Sequence, residues 1–309
     1  MLSPVASVQP AIVPISHHDD DVLAAVAFGR GVPDALLSLD IPQLGEPRVE
    51  VWRSSLPVRR WTRDAIELAD NGEVLAGALV CNDDEVRRAA ACVYDRLIAA
   101  ARPAGYPHLL RVWNHVRDIN RVEHGLERYR AFCAGRHEAF AKHGYAVRGD
   151  LPAASAVGMG GGGVASYFFA SRAPVQSIEN PRQVAAYDYP PRYGPRSPSF
   201  SRATLGAGLM FISGTASVVG HETKHAGDVA AQLDETLVNL GTIAGGRELL
   251  TAKLYLRRAD DYPFIAARVR EALPRTQMMF LHAELCRADL LVEIEGVAPP
   301  GATASAAAC

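Results

Sequence analysis

Apolar and polar positions pass through the same order twice along this chain. The first pass reads "GEVLAGALVCNDDEVRRAAACVYDRLIAAA", then "HLLRVWNHVRDIN", "YRAFCAGRHEAF" and "PAASAVGMGGGGVASYFFA". The second reads "GLMFISGTASVVGHETKHAGDVAAQLDETLVNLGTIAGG", then "LLTAKLYLRRADD", "YPFIAARVREALP" and "TQMMFLHAELCRADLLVEIEG". In each, the apolar period changes between strand and helix spacing, which predicts strand, turn, amphipathic helix, strand, second helix and two further strands. In the second pass Val229, Leu233, Leu237 and Leu240 share one helical face, Asp228 supplies an N-cap, and Gly245–Gly246 a stop. The expected fold class is therefore α+β, as two related units, each a mixed sheet with two helices packed on one face. Between them "SRAPVQSIENPRQVAAYDYPPRYGPRSPS" reads as an ordered, proline-pinned connection. The boundary is expected near residue 178, giving units 1–178 and 179–309.

Composition narrows the class of protein. The 309 residues, 49% of them hydrophobic, suffice for two cores. Lys plus Arg number 32 against 34 acids, a net charge of −2, which leaves no basic footprint for nucleic acid or an anionic membrane. No apolar run is long enough to span a bilayer. The opening "MLSPVASVQPAIVPIS" lacks the pattern of a signal peptide, so a cytoplasmic chain is expected. Five scattered cysteines (Cys81, Cys92, Cys133, Cys286, Cys309) without CxxC pairs fit reduced thiols better than a disulfide scaffold or a zinc knuckle. The terminal "PPGATASAAAC" reads as a frayed tail.

One strand breaks the simple pattern. In "CRADLLVEIEG", Leu290, Val292 and Ile294 share one face and Leu291, Glu293 and Glu295 the other. Aligning the closing strands of the two passes sets Glu293 opposite Tyr167 and Glu295 opposite Phe169. Folding alone does not require acids there, since the first pass has aromatics. Either these carboxylates do chemistry or they lie on a solvated edge face.

Four segments together carry a resemblance. "FISGTASVVGHET", "AAQLDETLVNL", "LLTAKLYLR" and "VEIEG" resemble the RidA/YjgF fold. More specifically, "RVWNHVRDIN", "ERYRAFCAGRHEAF", "ENPRQVAAYDYPPRYGPRSPSFSRA" and "CRADLLVEIEG", in that order over about residues 45–297, resemble the chorismatases, bacterial enzymes that remove pyruvate from chorismate. The resemblance implies two related RidA-like domains and no metal or organic cofactor. It implies a glutamate acid at Glu293, and at Cys286 the cysteine that marks the hydroxybenzoate-forming branches. The expected activity is cleavage of chorismate to pyruvate and 3-hydroxybenzoate, with some 4-hydroxybenzoate as a second product. Alternatives are hydrolysis to a dihydroxycyclohexadiene carboxylate and a RidA-like module that binds small carboxylates without turnover. RidA imine deaminases hold a carboxylate with an arginine where this chain has Met278, which counts against that chemistry. RidA relatives are trimers; the fused first copy leaves monomer and trimer both open.

Chorismate is a dianion with an enol ether, so its cleavage demands cations and an acid able to protonate a methylene carbon. A carboxyl group buried on a core strand keeps its proton near neutrality, and Glu293, between Val292 and Ile294, fits. Tyr129 and Arg136 are seven residues apart and share a helical face. Arginine forks match carboxylates; by resemblance Arg136 and Arg202 are the clamps, with Tyr129 and Tyr189 as partners, and Arg111 and Arg287 stand behind them. Gly214 in "ISGT" permits a close backbone approach.

Three motifs point elsewhere. "HETKH" (His221–His225) matches a zinc-hydrolase pattern that needs mid-helix histidines, yet its flanks read as a helix start, so a turn is expected. "GMGGGGVAS" lacks the Lys-Ser/Thr of a P-loop and no helix follows, so it reads as an inter-strand turn. "HHDDD" reads as a solvated charged loop.

Overall fold

A computed structural model describes residues 6–14, 20–29, 31–32, 34–145 and 151–301. His17, His18 and Asp19 of "HHDDD", and the tail from residue 302 with Cys309, lie outside them. The two passes form two sheets with the same strand order. The first runs Ala153–Met159, His108–Arg117, Val164–Ser171, Val74–Cys81, Ile66–Asp70, Arg59–Arg63. The second runs Gln277–His282, Thr251–Leu256, Val292–Ala298, Leu209–Ala216, Ala203–Gly206, Gln176–Ile178. In both, the strands that follow the two helices pair in parallel, and the last long strand lies antiparallel to its neighbours on each side. Gln176–Ile178, which ends at the expected boundary, is hydrogen-bonded into the second sheet.

Helices α1 (Val86–Ala101) and α2 (Arg128–Lys142) belong to the first unit, α3 (Val229–Ala244) and α4 (Tyr262–Ala272) to the second. The Asp228 carboxylate accepts from the Ala231 amide at 3.0 Å, satisfying an orphan donor at the start of α3. Gly245 closes the same helix at φ +60°, a conformation that favours glycine.

Strand alternation distributes the cores. Phe168 packs under α1 and α2 with Tyr94, Leu97 and Phe132, while Tyr167 and Phe169 turn to the opposite face. Val292 and Ile294 pack under α3 and α4 with Leu233, Leu240 and Ile265; Glu293 and Glu295 alternate away. The helix-free faces of the two sheets thus meet each other. Tyr167 stands between Ala78 and Trp113, and Glu293 between Ala216 and Tyr255.

A third sheet, absent from the sequence reading, joins this interlayer in the order Val8–Pro14, Arg48–Ser54, Val22–Phe28, Leu37–Leu39. Its Trp52 is fully buried, with ring centroids 4.5 Å from Phe169 and 5.8 Å from Phe211. "VLAAVAF" is buried along its whole length, so it shows no alternation to read. The short strand Gln43–Leu44 then pairs with the free side of Gln277–His282. Among the described residues no helix is long and apolar enough to cross a membrane.

The α1–α2 contact depends on Gly135, where an added Cβ would lie 2.9 Å from the Arg87 carbonyl carbon. Backbone cannot yield as a side chain can, so Gly135→Ala is expected to cost about 1–3 kcal/mol, visible as a lower urea midpoint at unchanged slope.

Candidate active site

Where the two bare sheet faces part, they leave a cavity of about 340 Å³, within the range of small-molecule pockets. Its walls include Glu293 from the last strand, Gly214 and Ala216 from the strand beside it, Ser155 from the first unit, and Tyr129 and Arg136 from α2. The connection between the units adds Tyr189, Tyr193, Phe200 and Arg202; the loop before the last strand adds Cys286 and Arg287. All seven residues expected from sequence (Glu293, Cys286, Tyr129, Arg136, Tyr189, Arg202 and Gly214) therefore line one cavity, although α2 and the last strand are about half the chain apart.

Glu293 and Glu295 share a face but not an environment. Glu293 is 4% exposed and Glu295 1%, so neither occupies the solvated edge that was the alternative. Burial raises Glu293 to about 8, with the Glu295 charge adding to it and Arg111, Arg202 and Arg287 opposing. For Glu295 burial pulls upward too, but Lys253 and Arg111 outweigh it and hold the carboxylate at about 2. Arg111 Nη2 lies 2.6 Å from Glu295 Oε2, and Lys253 Nζ 2.9 Å from Oε1. Tyr255 Oη donates to Oε1 at 2.9 Å. Arg111 is thus committed to Glu295. Sequence gives no sign of that partnership, because the pair is 184 residues apart.

Gly214 serves the pocket by having no side chain. A Cβ there would lie 2.7 Å from Glu293 Cδ, inside contact distance. Its N–H donates to Ser155 Oγ at 2.9 Å, where a register shift interrupts the strand between Ile212 and Thr215. The Ser155 hydroxyl donates to Glu295 and accepts from Arg111. Ser155 was not anticipated from sequence.

Three guanidinium groups line the cavity without a carboxylate partner among the described residues. Arg136 is 1% exposed; its Nη2 is 3.8 Å from the Cys133 thiol, and its Nε has no partner. It sits over Phe132 at 5.0 Å. Arg202 donates from Nη2 to Tyr189 Oη at 2.7 Å and to Val184 O at 3.2 Å, and its buried Nε is also unpartnered. Arg287 donates to the carbonyl of His221 and lies over Tyr193 and Tyr189 at 4.6 and 5.3 Å. A buried cation without an anion is costly, so the cavity is built for a ligand that carries negative charge.

Cys286 is partly exposed; burial pushes its thiol up, and Glu293 adds to the rise. An inert thiol is a shaping group rather than a nucleophile. Tyr129 is raised well above its ordinary range, mainly by burial, and stays a neutral donor. The "HETKH" run does not form a helix: Glu222–Thr223 pairs with Val218–Val219 in a short hairpin, and α3 begins only at Val229. The two histidines therefore lack the shared helical face a zinc site of that pattern needs. The glycine-rich segment is the turn between Ala153–Met159 and Val164–Ser171.

A family model described as "Chorismatase FkbO/Hyg5-like, N-terminal" matches residues 50–170. A 3-hydroxybenzoate synthase of Streptomyces hygroscopicus is 39% identical over 294 residues, covering 87% of this chain and 86% of that protein. The chain belongs to the chorismatase family. A chorismatase of Streptomyces rapamycinicus is likewise 39% identical, over 276 residues and 82% of each chain. A chorismatase crystal structure matches with a TM-score of 0.85 at 32% identity, covering 94% of this chain and 98% of its own. This chorismatase thus shares that structure's architecture over 94% of its length.

The raised pKa of Glu293 has a stability cost. Folding binds a proton at this site between the unfolded pKa of about 4.3 and the folded value of about 8, so stability is lost as pH rises through that window. Glu293→Gln removes the loss. The variant is expected to match wild type near pH 4 and to exceed it by a few kcal/mol at pH 8, a gain that paired urea titrations across the range will measure.

Proposed function

We propose that this chorismatase cleaves chorismate to pyruvate and 3-hydroxybenzoate, with Glu293 as the proton donor. The observation that carries the reading is a buried carboxyl group, Glu293, facing a cavity with three arginines that have no ion-pair partner among the described residues; burial pushes that carboxyl up to about 8. Chorismate brings two carboxylates and one acid-labile enol ether, which matches that inventory. The relative named 3-hydroxybenzoate synthase supports the product.

In this reading Arg136 and Arg202 hold the two carboxylates, and Tyr129 and Tyr189 add hydrogen bonds. Arg287, on the rim, helps to draw in the dianion. Glu293 transfers its proton to the enolpyruvyl methylene, leaving an oxocarbenium-like carbon next to the ether oxygen. The bond from that oxygen to the ring then breaks, its electron pair stays on oxygen, and pyruvate departs with a ketone. The substrate's own hydroxyl, held against the ring by the wall at Cys286, attacks the vacated ring carbon in place of water and loses its proton, closing an epoxide. The oxygen's original bond to the ring then opens, its electron pair goes to the oxygen, and the oxygen takes up that proton at its new position. Loss of a ring proton restores aromaticity and returns a proton to the Glu293 carboxylate. Chorismate divides into the two products with no water added and no change in overall oxidation level. The second product, 4-hydroxybenzoate, follows where the hydroxyl keeps its original ring bond and the proton beside it leaves instead.

The test combines purified protein with chorismate, a coupled assay for pyruvate and chromatography of the aromatic product. Glu293→Gln is expected to lose at least about 10³-fold in kcat while keeping the wild-type circular dichroism spectrum; near-normal pyruvate release would refute the assignment. In wild type, kcat/KM should be level near neutrality and fall tenfold per unit above about pH 8. Cys286→Ala should retain pyruvate release but shift product from 3-hydroxybenzoate toward 4-hydroxybenzoate or a dihydrodiol. Binding of small carboxylates without pyruvate release would instead favour a non-catalytic module.

A further inference from the structure

Behind the carboxyl pair lies a closed set of four buried charges. Lys253 Nζ is 2.7 Å from Glu50 Oε2 and 2.9 Å from Glu295 Oε1, and Arg111 Nη2 is 2.6 Å from Glu295 Oε2. Each of the four side chains is more than nine-tenths buried. Three sheets contribute: Glu50 comes from the N-terminal one, Arg111 from the first unit, Lys253 and Glu295 from adjacent strands of the second. Neutral donors complete the shell, with Tyr167 Oη to Glu50 Oε2 at 2.7 Å and Trp52 Nε1 to Glu50 Oε1 at 3.2 Å. Two acids and two bases sum to zero without Glu293.

Stability does not explain such a set. Buried ion pairs return little over well-packed apolar groups of the same size, and the surrounding interlayer is already aromatic. We propose that the four charges are a positioning device for the proton on Glu293: Glu295 is a permanent carboxylate whose field adds to burial in keeping its neighbour neutral, and Glu50 sets the strength of that field by sharing Lys253. The inference rests on the reading of Glu293 as the proton donor.

The groups facing Glu293 leave few alternatives. On its own strand is Glu295; from the first unit come Arg111 and Ser155; from the adjoining strand, Gly214; from the loops, Arg202, Arg287 and Cys286. The three arginines favour the ionised form, and among the described residues Glu295 is the leading negative charge that opposes them. Around the network itself, burial foremost and then Lys253 push His115 down to about 3, so its ring, 5.9 Å from that of Tyr167, adds no charge. Tyr167 and Tyr255 are raised well above their ordinary range, mainly by burial, and remain neutral. Without Glu50, Lys253 would give its whole charge to Glu295 and weaken the field at Glu293. Without Glu295, Arg111 and Lys253 would face Glu50 alone, and Glu293 would ionise as their replacement counterion.

The test is the alkaline limb of kcat/KM, read beside an infrared titration of the protonated carboxyl band that Glu293→Gln identifies. Glu295→Gln should move both to lower pH by about one to two units, the range for loss of a close like charge. Glu50→Gln, which touches neither cavity nor Glu293, should move both the same way by a smaller step. Glu50→Asp should restore the wild-type limb, and so should the neutral double variant Glu50→Gln with Lys253→Met. A purely structural role would lower expression or the melting point and leave the limb in place. An unmoved limb in either folded single variant overturns the proposal while Glu293 stays the donor. An active Glu293→Gln, or a wild-type band absent at pH 7, overturns the functional reading itself. If neither single variant folds, the infrared titration decides: the band lost in Glu293→Gln should titrate near 8, apart from that of Glu179 near 7, while Glu295 stays ionised well below pH 4, and a Glu293 band present at pH 7 beside a Glu295 carboxyl that titrates above pH 4 refutes the proposal.

Discussion

A sheet with helices on only one side has a second face that must be covered, and in this chain each unit covers the other's. That mutual cover places the residues of two strand faces, normally divided between core and solvent, in one dry interlayer. Trp52, Trp113, Phe169 and Phe211 fill it with aromatic area. Where the faces diverge, the same desolvation that holds the sheets together acts on whatever polar group is there. A carboxyl group on that face cannot behave as a surface acid: it is neutralised by a proton, as at Glu293, or by cations, as at Glu295.

Much of this was legible in the chain. The repeated order of apolar periods marked both units and their helices, because amphipathic spacing is a local property; the Asp228 cap and the Gly245 stop were visible for the same reason. The alternation around Glu293 fixed its face, and the shared helical face of Tyr129 and Arg136 placed both toward one cavity. What stayed hidden is non-local. Glu50 and Lys253 each look like an ordinary charged residue on a strand, Arg111 reads as a reserve clamp for the ligand, and only the packing of three sheets reveals that they complete one another. Ser155 is one hydroxyl among many until the Gly214 amide meets it. In the N-terminal sheet the strand Val22–Phe28 escaped notice because a strand buried on both faces has no polar alternation.

Function and stability pull against each other at the same atom. A proton held on Glu293 at neutral pH is useful for protonating carbon and unfavourable for the folded state, which must bind it against the bulk pH. The arginines repeat the theme: Arg136 and Arg202 keep orphaned N–H groups that a partner carboxylate from the chain itself could have satisfied, at the expense of a place for the ligand. The helical cores under α1–α4 carry no such tension.

The strand Gln43–Leu44 has a consequence at the molecule's border. By pairing with Gln277–His282 it occupies hydrogen-bonding positions that a stranger's backbone would otherwise find open. At one border of the first sheet, the outermost strand carries Arg59, Arg60 and Arg63, with Arg59 paired to Asp70 and Arg63 near Asp64. One rim of the second sheet is thus covered by the chain's own tether and one rim of the first carries charge, so neither offers a bare apolar edge to a foreign strand.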